Sequence, residues 1–385
     1  MQLPYSGSFR IDLADAAPAV SPRPALAWPA HIPLAGARSG ETHQLSPFDR
    51  AILHQFENTP ILTVGTEEAS MGFQLRALQK AVEVSLIPVQ RDRNTGVVTT
   101  DAKRGQNPFL THMIIATTLV YDIHVAKRPD RTKCAALAFY FYHGASLFGA
   151  KLGQPLIRDE GEALWIAAAL TGTSAFADIK ATTPAEAWPL GPTSPSDLDW
   201  IRLVGGKKAV FQLTNPTLPS SVHNSPCGHF LMPFTFMGDE MRNLPVQFRD
   251  VFALDENSTA DNNPYHHAAS LLGQLMVMDC TRYTVTKFLS FLAFPDPRFL
   301  QLLEQRDPRA LLLLTWWWAK ALCRDHWWMW CRGIIEGQAL CIYLEMAFSN
   351  SPELLELLEI PRAVFAAAAA NPLSASSPTR LSLAM

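Results

Sequence analysis

Apolar residues recur through most of this chain with the 3.6-residue period of helices that bury one face, and no run keeps the strict alternation of a half-buried strand. The pattern is densest between residues 307 and 346. Asp307 can cap a helix whose first residue is Pro308, because a carboxylate accepts from the open first-turn amides and proline has no amide to leave unpaired. Leu311, Leu312, Leu313, Leu314, Trp316, Trp317 and Trp318 then follow almost without a polar residue, and only Lys320, Arg324 and Asp325 interrupt them. A helix that is apolar on nearly every side belongs inside. Trp327, Trp328 and Trp330 open a second helix, carried on by Ile334, Ile335, Leu340, Ile342 and Leu344, with Arg332, Glu336 and Glu345 as a thin polar stripe. The spacing predicts an all-α fold: a single large multi-helix domain around two central Trp-rich helices.

Upstream, Ser46-Pro47 signals a helix through about Glu57, with Phe48, Ile52, Leu53 and Phe56 on its inner face. Further helices are expected over about 72–84, 108–126, 133–152, 160–179, from Asp199, and over 264–279, 281–293, 299–306 and 354–358. His112 and His124 fall on the apolar 108–126 helix and read as core groups. Residues 1–44 are rich in proline without sustained periodicity and read as a flexible leader. The polar stretch 88–106 reads as an inserted loop of unusual length, and 181–199 as an irregular connection. Prolines and phenylalanines alternate without a period over 218–241, which suggests a loop over the core. Residues 363–385, rich in Ala, Ser and Pro, read as a disordered tail, so the ordered domain is expected over 45–362.

Composition narrows the function classes. With 385 residues, 48% hydrophobic and 17% charged, the chain can bury a substantial core. A formal net charge of -3 gives no global attraction to nucleic acid, so no direct nucleic-acid contact is expected. The longest apolar run is about half of the roughly 20 residues that a bilayer span needs, so no membrane span is expected. No charged n-region followed by an apolar h-region opens the chain, and an intracellular place, nuclear or cytoplasmic, is expected. Cys134, Cys227, Cys280, Cys323, Cys331 and Cys341 lack the tight spacings of a zinc site or a disulfide framework and read as buried reduced thiols.

Several segments carry a family likeness. DPRALLLLTWWWAK at 307–320, the pair Trp327-Trp328 and EGQALCIYLE at 336–345 resemble the C-terminal regulatory region of fungal zinc-cluster (Zn2Cys6) transcription factors. FDRAILHQFENT at 48–59, NPFLTHMIIATTLVYDIH at 107–124, WPLGPTSPSDLDWIRLVGGKKAVF at 188–211 and DNNPYHHAASLL at 261–272 fit the same family in the same order. The resemblance spans roughly residues 46–362. It implies a helical region that senses a metabolite or carries activation surfaces, while a zinc cluster of closely spaced thiolates contacts DNA. The first cysteine here is Cys134, so no such cluster is present in this sequence. The implied protein is a ligand-responsive regulator of secondary metabolism without a cofactor. It would bind an apolar small molecule and act through a full-length regulator or a second copy of itself.

Two chemistries compete for the aromatic residues. Trp316, Trp327, Trp328 and Trp330 are either core or the rigid walls of an apolar ligand pocket. Rings of this kind also stabilise carbocations, which opens an alternative: an unusual class I sesquiterpene (terpene) cyclase, a lyase releasing diphosphate from a prenyl diphosphate. That reading needs Mg2+ on oxygen ligands and a cation for the leaving group. Asp255, Glu256 and Asp261 are then the candidate metal ligands, and Lys287 or Arg282 the candidate diphosphate anchor. The same acidic residues also read as a solvated loop before a helix, and Lys287 as a lysine snorkelling at the edge of an apolar face. The DDxxD run is absent, as are GxSxG, HExxH and a dinucleotide fingerprint. Convergence of the acidic cluster and Lys287 on a Trp-lined cavity would favour the enzyme.

Overall fold

A computed structural model of the chain describes residues 26, 28–36, 41–83, 107–125, 130–155, 160–214, 240–293, 296–322 and 326–370. A short antiparallel ladder of β1 (His31–Pro33) and β2 (Thr42–Gln44) precedes α1 (Pro47–Asn58), α2 (Glu67–Val82), α3 (Pro108–Val125), α4 (Arg131–Leu152), α5 (Gly161–Ala177) and α6 (Asp199–Thr214). The second half holds α7 (Gln247–Val251), α8 (His266–Met276), α9 (Val285–Ala293), α10 (Pro297–Glu304) and α11 (Pro308–Ala321). It ends with α12 (Trp327–Ala347), α13 (Pro352–Glu356) and α14 (Glu359–Ala370). The fold is all-α apart from that ladder, and no described helix is long and apolar enough to cross a membrane.

Helix starts follow from capping chemistry. Ser46 Oγ accepts from the Asp49 amide at 3.2 Å while Asp49 Oδ2 accepts from the Ser46 amide at 2.8 Å, closing a capping box in front of α1. Asp307 Oδ1 accepts from the Ala310 amide at 2.9 Å and Pro308 opens α11, as the sequence predicts. Asp296 followed by Pro297 repeats the arrangement at α10. Each such cap is worth about 1 kcal/mol.

Packing gathers these helices around two buried axes. α3 packs against α1, α2, α4 and α5, while α12 touches α3, α5, α11 and α14. α5 is therefore shared between the two groups. Gly333 and Gly337 let α12 be approached closely: a Cβ on Gly333 would stand 2.9 Å from the Trp318 ring, and one on Gly337 would collide with Phe365. Trp317 stacks on Phe291 with centroids 5.6 Å apart, and its Nε1 donates to the Phe288 carbonyl at 2.9 Å.

One ion pair lies inside this core. Arg332 Nη1 donates to Glu336 Oε1, its Nε donates to the Phe176 carbonyl at 2.8 Å, and its Nη2 to the Asp178 carbonyl at 3.0 Å. The guanidinium also sits 5.1 Å above the Trp200 ring. Arg332 thus covers the open carbonyls at the C-terminal end of α5 from a neighbouring helix.

Several expectations are corrected. The leader expected over 1–44 contains the β1–β2 ladder, whose three-residue strands are too short to register as an alternation. Ile32 is buried there, and His112 Nε2 and His143 Nδ1 hold Pro33 O and Ala35 N at 2.9 and 3.0 Å. The tail expected from 363 begins later, because α14 continues through Ala370 and buries Val364, Phe365 and Ala368 against α11 and α12. α2 starts at Glu67, ahead of the expected 72, because Thr66 caps a first turn that has no apolar period. On α1 the buried residues are Asp49, Ile52, Leu53 and Phe56, while Phe48 is exposed. Asp49 goes inside because its carboxylate is occupied by Ser46 and His43. Cys134 is exposed on α4 and not buried. The inserted loop at 88–106 lies outside the described residues, with Cys227, Cys323 and residues 371–385.

Candidate functional site

Four helices that are far apart in sequence enclose a cavity of about 280 Å³. α2 presents Ser70, Gly72, Phe73 and Arg76; α5 presents Trp165, Ala169, Gly172, Thr173 and Phe176; α6 presents Val204 and Lys207; and α9 presents Thr286 and Leu289. Trp328, on the first turn of α12, and Leu62 and Val64 complete the wall. The positions on α2 and on α5 repeat at three- and four-residue intervals, so each helix turns one face to the cavity. Small residues at Ala69, Gly72, Ala169 and Gly172 leave the space. Glu68, Gly72 and Gln79 are exposed and mark the mouth.

Local hydrogen bonds set the wall. Buried Gln74 donates to the carbonyls of Phe56 and Thr59 and accepts from the Leu62 amide at 3.0 Å, which fixes the turn that carries Leu62 and Val64. Trp328 Nε1 donates to Thr63 Oγ1 at 3.2 Å, and Thr63 Oγ1 is 3.2 Å from Nδ1 of His326, the residue before α12. Burial pushes the His326 imidazole down to about 4, so at neutral pH it is uncharged. Phe176 meets Trp328 edge-on at 5.3 Å, tying the end of α5 to the start of α12.

One charge of the wall is paired with a neighbouring helix. Arg76 Nε and Nη2 each donate to one oxygen of Glu162 at 2.6 Å, and this bidentate bond raises the Arg76 guanidinium further. Lys80 Nζ also reaches Glu162, at 3.3 Å. The remaining polar wall is different in kind. Ser70 Oγ, Trp165 Nε1 and Thr286 Oγ1 are buried and have no hydrogen-bond partner. Their residues are 2%, 4% and 4% exposed. An unpaired buried polar group costs about 1–3 kcal/mol, and each of these three atoms belongs to a residue of the lining but is itself covered by its neighbours.

The sequence-predicted site residues are dispersed. Trp328 alone of the four tryptophans lines this cavity. Trp316 is buried against Phe248, with its Nε1 donating to the Leu357 carbonyl at 2.9 Å. Trp327 packs on Tyr121 and His124 and donates to the Ile61 carbonyl at 2.8 Å. Trp330 is buried in the core. Asp255, Glu256 and Asp261 lie exposed on the loop before α8. That loop closes on itself: Asp255 Oδ1 accepts from the Asn257 amide at 2.9 Å and the Ser258 hydroxyl at 3.0 Å. Among the described residues no group of three or more His, Cys, Asp or Glu is placed to hold a metal ion. Arg282 sits in the turn before α9, where its carbonyl accepts from the Gly65 amide at 2.7 Å, and Lys287 lies on α9 itself; neither lines the cavity.

Sequence reasoning missed Ser70, Arg76, Trp165, Phe176 and Thr286. A cavity assembled from four segments has no linear signature. The available signal was two large rings, Trp165 and Phe176, on a helix face otherwise made mostly of Ala, Gly and Thr. Comparison with known protein families, characterised proteins and solved structures finds no match.

Proposed function

We propose that this domain is a ligand-responsive regulatory module that binds an apolar small molecule between α2, α5, α6 and α9. Its effect would pass through a partner that contributes the DNA contact, either a full-length regulator or a second copy of the chain, in the nucleus or the cytoplasm. The observation that carries the proposal is the helix-walled cavity of about 280 Å³, lined mostly by apolar side chains with Ser70, Arg76 and Thr286 among them. Ligand sites are typically apolar clefts with a few polar groups, and this one is just under their usual ~300–1,000 Å³. The resemblance of residues 46–362 to zinc-cluster regulators supports the same reading. Trp328 gives a route for response, because it belongs both to the wall and to the start of central helix α12. The cyclase alternative loses its geometric support, since its acids and cations stand away from the cavity.

The test is binding of N-phenyl-1-naphthylamine, a neutral apolar fluorophore, to the purified full chain. Saturable binding is expected, and Gly72→Leu should weaken it more than tenfold. Gly72 lines the cavity with nothing within 4 Å of a built Cβ, and leucine is the better helix former by roughly 1 kcal/mol. The variant should therefore fold and melt no lower. Absence of saturable binding by folded protein would sink the proposal. Release of cyclised hydrocarbon from a prenyl diphosphate with magnesium would replace it with the enzyme.

A further inference from the structure

Away from the cavity, titratable side chains gather around the β1–β2 ladder. The rings of His112 on α3 and His143 on α4 have centroids 5.7 Å apart, and Phe139 packs against both and against His43 of β2. Asp49 on α1 and Tyr140 on α4 complete the cluster. His43 Nε2 lies 3.2 Å from Asp49 Oδ2 and 2.8 Å from the Tyr140 hydroxyl.

The three imidazoles hold the ladder in different hydrogen-bonding roles, and acid separates those roles. The Pro33 carbonyl can only accept, so His112 Nε2–H donates to it at 2.9 Å, and a donor survives protonation. His112 Nδ1 is buried without a partner, and burial brings that imidazole down to about 4, so it stays neutral in mild acid. His43 faces the Asp49 carboxylate, whose hold on the ring grows when the ring is charged. His143 is the opposite case. The Ala35 N–H can only donate, so His143 Nδ1 accepts from it at 3.0 Å and carries no proton there. An imidazolium has a donor on both nitrogens and would set one N–H against the other. The ring is only partly buried, so solvent protons reach it.

The groups facing His143 are His112 from α3, His43 from β2 and Tyr142 from its own helix. Asp49 acts on His43 and His112. Burial, and then the neighbouring His43, hold the His143 imidazole below its ordinary 6.5. A freed ring takes up its proton first, so the bond to Ala35 weakens as pH falls below 6.5.

We propose that the β1–β2 ladder is a pH-sensitive latch sensed by His143: protonation of Nδ1 breaks its bond to the Ala35 N–H and frees the turn after β1 from α4, while Asp49 keeps β2 on α1 through His43. The release is partial and local. It is independent of the cavity and of what binds there.

Amide hydrogen exchange of the full chain at about pH 7.5 and about pH 5 tests this, each rate divided by that of an unstructured amide at the same pH. Protection at residues 34–36 is expected to fall about tenfold in acid, the worth of one hydrogen bond replaced by opposed donors, while α11 keeps its protection. His143→Asn places an amide oxygen near the position of Nδ1, has a similar helix propensity and accepts at either pH once its amide is turned that way. Its protection at 34–36 should therefore not change with pH. His143→Ala should be poorly protected at both. Equal protection of the wild-type turn at the two pH values, an equal acid loss in His143→Asn, or a parallel loss in α11 would overturn the proposal.

Discussion

Replacing Arg332 with methionine removes the guanidinium while filling most of its volume. Glu336, 3% exposed, then loses its charge partner, and breaking a buried pair in this way costs about 3–5 kcal/mol. The carbonyls of Phe176 and Asp178 lose their donors too, at about 1 kcal/mol or more. Glu336 has an escape, because burial pushes its carboxyl up to about 7 even beside Arg332, and without Arg332 it would take a proton. The expected loss is therefore near 4 kcal/mol, a large share of the roughly 5–15 kcal/mol that holds a domain together. Glu336→Gln removes the charge but keeps an acceptor for Arg332, which retains its backbone carbonyls and Trp200. It should cost less than about 2 kcal/mol. Urea unfolding followed by far-ultraviolet circular dichroism and tryptophan fluorescence measures both, with coincident curves as the condition for comparing them. Equal losses in the two variants, or a larger one in Glu336→Gln, would refute the reasoning, since neither the stranded Glu336 carboxyl nor the uncovered carbonyls of α5 would then add a cost of their own.

The other expectations are simpler. Gly337→Ala forces a Cβ into the Phe365 ring and should lower stability by about 1–3 kcal/mol, whereas Gly206→Ala on α6, with nothing within 4 Å, should raise it by up to about 1 kcal/mol in the same urea assay. Asp307→Ala removes the α11 cap and the acceptor of the Tyr265 hydroxyl at 3.0 Å, for a loss of about 2 kcal/mol in a melting experiment. Burial holds His112 and His326 near 4 in the fold against an ordinary 6.5, so the unfolded chain takes up their protons first and stability falls as pH drops from 6.5 towards 4. Glu336, raised from 4.5 to about 7, acts the other way across 4.5–7, because there the folded chain holds the extra proton. Two histidines outweigh one carboxyl, and His326→Phe should flatten the slope of unfolding free energy against pH by up to about 1.4 kcal/mol per unit. An unchanged slope would show that His326 is not held neutral.

The fold was largely legible because its signals are local. Asp307-Pro308 and Ser46-Pro47 announce helix starts within a few residues, and the apolar saturation of 308–321 requires an interior position whatever surrounds it. Two kinds of element were not legible. The β1–β2 ladder is held by His112 and His143 from helices far along the chain, and three-residue strands have no period of their own. The cavity exists because small residues on α2 and α5 face each other, and small residues look the same in a sequence whether their neighbours fill the gap or leave it. The tryptophans drew attention for their size. Most of that size went into closing the core, with Trp316 and Trp327 fastening backbone carbonyls and Trp328, of the four singled out, reaching the cavity beside Trp165.

Arg332 has one further consequence, and it is mechanical. By gripping the last carbonyls of α5 from α12, it makes Phe176 and Trp328 parts of a single rigid frame. The opposite side of the cavity, on α2, meets α5 through the edge-on contact of Phe73 with Trp165 at 5.8 Å and through ion pairs from Arg76 and Lys80 to Glu162. Were a guest to displace α2, Gln74 would carry the movement to the turn at 56–62, and hydrogen exchange would quicken there and in α2 while α12 stays unchanged. The turn at 56–62, beside the contact of α1 with α2, is where a movement of this wall would first be felt.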